Sequence, residues 1–139
     1  MENTTIRVYL DYRFAGRHDM QAAQELLRAH GLEGKLGNTV NGELYAELFF
    51  VRMDTPMPEE AADAFLARAL PCTDALNALA EQEGGEYTLE IVPEFFVSEA
   101  PSLVLGAPML AFLRAVKALQ CVDIDIYPLE RAHKTEKVS

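Results

Sequence analysis

Between Thr5 and Phe14 apolar and polar side chains alternate without a slip. Ile6, Val8, Leu10, Tyr12 and Phe14 fall on one face, and Arg7, Tyr9, Asp11 and Arg13 on the other. This is the period-two pattern of a strand with one face in a core and one in water. Such a strand needs a sheet that is covered on one side only, which excludes an all-helical chain and a doubly covered parallel sheet. The pattern returns near the end, where Val122, Ile124 and Ile126 alternate with Asp123, Asp125 and Tyr127.

Helical periods separate the strands. Asp19 reads as the cap of a helix ending at His30, with Met20, Ala23, Leu27 and His30 on one face beside Leu26, and Gly31 placed for a left-handed stop. Thr55-Pro-Met-Pro-Glu-Glu opens a second helix. Its apolar positions Ala62, Phe65, Leu66, Ala69 and Leu70 continue in phase at Leu76, Leu79 and Ala80. Pro71 demands a kink or a break into two helices, and Gly84-Gly85 ends the run. A third helix is predicted over Pro108–Gln120, with Leu110, Leu113, Val116 and Leu119 inward, widened by Met109, Phe112 and Ala115. This closing helix and the strand after it are expected to anchor the fold, with Ile124 and Ile126 buried.

Two more strands complete the sheet. Leu36–Val40 is a short return strand before the hairpin turn Asn41-Gly42. Glu43–Met53 places Leu44, Ala46, Leu48 and Phe50 opposite Tyr45, Glu47, Phe49 and Val51. Its second half is apolar on both sides, which predicts a central strand covered on each face, or a subunit contact and hence a homodimer. Glu86–Val97 sets Tyr87, Leu89, Ile91 and Pro93 against Thr88, Glu90, Val92 and Glu94, with Pro93 marking an edge or a bulge. The expected fold class is α+β: a two-layer sandwich, mainly antiparallel, of four or five strands with three helices packed on one face. Residues 1–129 are expected to form a single domain, and the charged, aperiodic 130–139 a disordered tail.

Charge narrows the partners. Of the total −10, the stretch from Glu43 to Glu99 holds thirteen acids against Arg52 and Arg68, net −11, leaving +1 for the rest. A field of that sign repels phosphate backbones, so nucleic acid is excluded; the charge serves either plain solubility or the attraction of a basic protein. No apolar run is long enough to span a bilayer and the first residues carry no leader pattern, so no membrane partner is expected and the cytoplasm is the expected location. Cys72 and Cys121 have neither metal-ligand nor redox spacing and are expected to be buried, reduced thiols.

The order of elements, the ending Met109–Gln120 and the segment Asp123-Ile-Asp-Ile-Tyr127 resemble the DUF4279 family of uncharacterised bacterial proteins. The resemblance implies a small stand-alone bacterial α+β domain and no particular chemistry. Relatives carry a tryptophan near the second strand; this chain has none, and Tyr45 or Phe49 takes that place.

Asp123 and Asp125 lie two apart on one strand face, with Tyr127 beyond them. If the first and last strands are neighbours, Asp11, Arg7, Arg13 and Tyr9 join that polar face. Two readings follow: an acid-lined site with an arginine to hold an anion, or plain cross-strand Arg–Asp pairing, which the absence of a nearby His or Cys favours. His18, His30 and His133 have no ligand spacing, so no metal and no cofactor are expected. Gly31, Gly34 and Gly37 follow a helix and form no phosphate cradle. The Phe49-Phe50 and Phe95-Phe96 doublets are expected in the core or at a subunit contact. With no nucleophile signature, no catalytic residue is assigned. The expected function is non-enzymatic binding of a basic protein, as an immunity protein binds a basic toxin. The alternative is a small enzyme or ligand-binding domain using the Asp/Arg/Tyr face.

Overall fold

The computed structural model describes residues 4–96 and 103–129. Its elements are β1 (Thr5–Arg13), α1 (Met20–Ala29), β2 (Gly34–Asn38), β3 (Leu44–Asp54), α2 (Pro58–Ala69), a 3₁₀ turn (Leu70–Cys72), α3 (Thr73–Glu83), β4 (Glu86–Phe96), α4 (Ala107–Ala115), β5 (Leu119–Ile124) and β6 (Tyr127–Leu129). The sheet order is β2-β3-β1-β4-β5, and β6 pairs with β4 as well. The pairs among β1 to β4 are antiparallel, while β5 and β6 run parallel to β4. The helices pack on one face, where Ile6, Val8, Leu10 and Tyr12 join Leu27, Phe65, Leu79 and Phe112 in one buried cluster. This is the expected α+β sandwich. Val97 and the 130–139 tail lie outside the described residues.

Local signals set the helix ends. The Asp19 carboxylate accepts a 2.7 Å hydrogen bond from the Ala22 N–H, and Gly31 (φ 71°) and Gly84 (φ 87°) close α1 and α3 in the left-handed region. Asp19→Ala is expected to cost about 1 kcal/mol of stability, read by urea denaturation. Pro71 breaks the long helical run into α2 and α3 through the 3₁₀ turn. Met20, expected on the buried face of α1, is instead 42% exposed because it lies on the first turn, beyond the sheet.

Three other expectations are corrected. First, β3 does not bury both faces. A bulge opposite Tyr9, with Phe49 at φ 56°, shifts the period by one residue. Leu44, Ala46 and Leu48 face the core before it, and Val51 after it. Phe49 therefore packs edge-on against Phe65 of α2, while Phe50 stacks on Tyr9 on the outer side. Arg68 of α2 donates to the Phe50 carbonyl at 2.8 Å, holding the bulged backbone. The apolar run is a phase shift within one strand, with Val51 turned to the core and Phe50 to the outer side.

Second, the closing helix stops at Ala115, not Gln120. Val116 takes extended backbone (ψ 102°), and the Asn77 side chain accepts the Lys117 N–H at 2.9 Å. Met109, Phe112 and Val116 are the buried positions, and Leu110 is exposed. Third, β5 is an edge strand and does not anchor the core. Leu119 and Val122 are partly buried, whereas Ile124 and Ile126 face water at 40% and 54% exposure. Cys121, expected to be buried, is an exposed free thiol on the same edge, and Cys72 is free and half-buried. Pro93 lies inside the sheet, in the gap where the β4 partner changes from β5 to β6, so its missing N–H leaves no ladder bond broken.

Candidate functional site

The face of the sheet away from the helices presents side chains in rows across the strands. One row runs from Glu47 on β3 to Asp11 on β1, then Thr88 on β4 and Cys121 on β5. The next runs from Tyr9 to Glu90 to Asp123. Beyond them Arg7 lies between Arg52 and Val92, and Thr5 between Asp54 and Glu94, with Tyr127 on the far side of Glu94. The first and last strands are thus not neighbours. β4 separates them, and its Glu90 bridges the gap between the Asp11 and Asp123 sides of the face.

The arginines serve the margins of this face. Arg7 pairs with Glu94 at 3.0 Å, and Arg52 approaches Asp54 at 3.9 Å. Arg13 divides itself between Asp11 at 3.8 Å and Glu43 at 3.7 Å. Among the described residues Glu47, Glu90, Asp123 and Asp125 have no cationic partner within ion-pair distance. One oxygen of Asp11, Oδ1, is buried without a hydrogen bond.

Crowding like charges on a half-buried surface raises the cost of ionising them. Burial, a hydrogen bond shared with Asp123 and the charges of Asp123, Asp11 and Asp125 push the Glu90 carboxyl up to about 8. Burial pushes Asp11 up to about 6, with Arg13 opposing and Glu47 reinforcing. Tyr9 is held above the ordinary phenol range by burial and by Glu90, Glu47 and Asp11. Near neutral pH Glu90 therefore keeps its proton and can donate it to Asp123.

Of the residues singled out from the sequence, Asp11, Asp123 and Asp125 share this face and the influence of Glu90. Arg13 borders it, and Arg7 and Tyr127 lie further along, beside Glu94. Glu90 and Glu47 were missed as site residues, although each falls on the polar side of its own strand. The missing information was the strand order, which makes Glu90 the centre. Phe95 is half-buried on β4, and the side chain of Phe96 lies outside the described residues.

A second polar cluster ties α3 to the end of β1. The Glu83 side chain is only 3% exposed and accepts from the Tyr12 hydroxyl at 2.5 Å and from the N–H groups of Ala15 and Gly16 at 3.0 and 2.7 Å. His18 Nε2 lies 3.1 Å from its other oxygen. Gly85 donates its N–H to the Tyr12 hydroxyl, and a side chain there would collide with the Tyr12 ring at 2.5 Å. A cleft of about 510 Å³ opens beside His18, between the β1–α1 loop and the β2–β3 turn. Every acceptor site of Glu83 is taken by the protein itself, so the cluster is a structural junction.

Among the described residues no three His, Cys, Asp or Glu side chains converge as a metal ligand set, and no helix is long and apolar enough to cross a membrane. No family model matches the chain, and no curated protein or solved structure matches it. The reading of function therefore rests on the geometry of the outer face.

Proposed function

We propose that this domain binds a basic protein through the outer sheet face around Asp11, Glu90 and Asp123. The observation that carries the reading is that Glu47, Glu90, Asp123 and Asp125 share this face with no cationic partner among the described residues, and that burial and the neighbouring carboxylates push the Glu90 carboxyl up to about 8. A lysine or arginine brought to this face relieves that repulsion, so part of the binding energy is already stored in the free protein. A small-ligand role for this face has less support: the recess beside Asp11, lined by Tyr9, Arg13, Thr39, Tyr45 and Glu47, holds about 170 Å³. Sites for small molecules are typically about 300–1,000 Å³.

The sign of the pH dependence separates this face from the general negative charge. A cationic partner favours the ionised carboxylates, so binding draws protons off Glu90 and Asp11. Affinity for an oligolysine peptide should rise between about pH 6 and about pH 9, with proton release seen by calorimetry in buffers of different ionisation enthalpy. It should weaken at high salt. The double variant E90K/D123K should lose at least about tenfold in affinity, whereas E59K/D63K, which reverses as much charge on the exposed side of α2, should lose far less. Equal losses in the two variants would reduce the effect to net charge and defeat the reading.

A further inference from the structure

Among the described residues the sheet ends at β5. No described strand pairs with its outer side. The parallel register sets Val122 beside Leu89 and Ile124 beside Ile91, and the Asp125 N–H donates to the Ile91 carbonyl at 3.0 Å. Backbone groups alternate in direction along a strand, so residues 123 and 125 turn theirs toward β4. Val122 and Ile124 then point N–H and C=O outward. Between Leu119 and Ile124 the edge carries no lysine and no proline, the devices that commonly blunt an exposed strand. The opposite edge, β2, is shorter and carries Lys35 and two glycines.

The side chains along this edge define what fits it. On the outer side Asp123 stands next to Glu90, and among the described residues neither has a cation within ion-pair distance. On the core side Val122 is half-buried, and Ile124 is 40% exposed at the rim. A strand laid along β5 would place alternate side chains beside Asp123 and the intervening ones beside Val122 and Ile124. A second copy of this chain is a poor occupant, because it would bring its own Asp123 and a net charge of −10 to the same edge.

We infer that the β5 edge receives an extended segment of the basic partner, in which lysine or arginine alternates with apolar residues, added to the sheet as a further strand. This rests on the proposed role of the outer face and specifies how the partner enters it. Main-chain hydrogen bonds to Val122 and Ile124 supply affinity, and the Asp123–Glu90 pair selects for positive charge at every second position.

The test uses the full chain and two peptides of equal composition, Lys-Val-Lys-Val-Lys-Val-Lys and a scramble with its lysines contiguous. The alternating peptide should bind about tenfold tighter or better, and should protect the Val122 and Ile124 amides from hydrogen exchange. Methylating the backbone nitrogens that face β5 should abolish binding, and methylating the opposite set should not. Ile124→Pro removes an outward N–H without touching the β4 ladder; it should keep the thermal midpoint within a few degrees and lose the peptide's advantage. Equal binding of both peptides, both lost in E90K/D123K, would overturn the added strand and leave the acidic face standing. Binding indifferent to E90K/D123K would overturn the acidic face itself. Amides of Val122 and Ile124 already protected in the free protein would show the edge to be occupied, by the chain's own tail or a second copy, and would also overturn the inference.

Discussion

Replacing Glu83 with alanine is expected to destabilise the fold by about 3–5 kcal/mol, the range for breaking a buried, hydrogen-bonded charged group. The substitution strips the acceptor from the Tyr12 hydroxyl and from the N–H groups of Ala15 and Gly16, and it frees His18. Tyr12 itself is fully buried, between Phe14 and Tyr87, so its hydroxyl has no route to water. Glu83→Gln should cost less but still substantially, since an amide nitrogen would oppose donors where a carboxylate oxygen now accepts. The pH dependence follows from the same contacts. Burial alone would raise the Glu83 carboxyl, but Tyr12, Ala15, Gly16 and His18 more than offset it and hold it below the usual carboxylate value of 4.5. A group whose folded value is depressed stabilises above the unfolded value and loses that contribution as pH falls through the folded one. Acid should therefore weaken the β1–α1 junction of the wild type only as pH falls below about 4.5. Urea denaturation near neutral pH is the check, and a loss under about 1 kcal/mol would show the junction to be dispensable.

Replacing Glu90 with glutamine should do the opposite and stabilise the protein, by about 2 kcal/mol at alkaline pH after discounting for partial exposure. The folded carboxyl sits at about 8 against an ordinary value of 4.5, so the folded state binds the proton more tightly than the unfolded chain. Stability then falls as pH rises through that window and levels off above about 8. Glutamine stays neutral throughout and can still donate to Asp123. The difference between Glu90→Gln and wild type should be near zero below about pH 4.5, grow as pH rises to about 8, and level off above that. Parallel stability curves for the two proteins would mean that Glu90 is ionised and unstrained in the fold. A surface that gains stability when its central acid is neutralised is kept for a reason other than stability, which is what a cation-receptive face requires.

Much of this fold could be read residue by residue. Asp19, Gly31, Pro71, Gly84 and the Asn41-Gly42 turn each act locally, through a cap, a left-handed backbone or a missing N–H, so no tertiary knowledge was needed. The two-sided character of β1 held for the same reason: period two is a property of one strand. What failed depended on neighbours. The bulge at Phe49 is visible only against β1, because a phase shift needs a partner strand to be measured against. Leu113 and Leu119 continue a helical period in sequence, yet Val116 leaves the helix because Asn77 of α3 accepts the Lys117 N–H. The apolar alternation of Val122, Ile124 and Ile126 suggested burial, but β5 lies at the edge, where little remains to cover the last two.

The candidate site shows the same division. Asp11, Asp123 and Asp125 were correctly placed on polar strand faces, and Arg7, Arg13 and Tyr127 with them. Glu90 sat unremarked on a strand whose position was unknown. Inserting β4 between β1 and β5 turned two separate pairs of acids into one crowded surface and drew Arg7 away to Glu94.

The most direct measurement is a carboxyl-carbon NMR titration of Glu90, alone and with the alternating lysine–valine peptide. A midpoint near 8 is expected in the free protein, falling by a unit or more when the peptide is bound. A free-protein midpoint near 4.5, unchanged by the peptide, would mean that the outer face holds no stored repulsion and receives no cation.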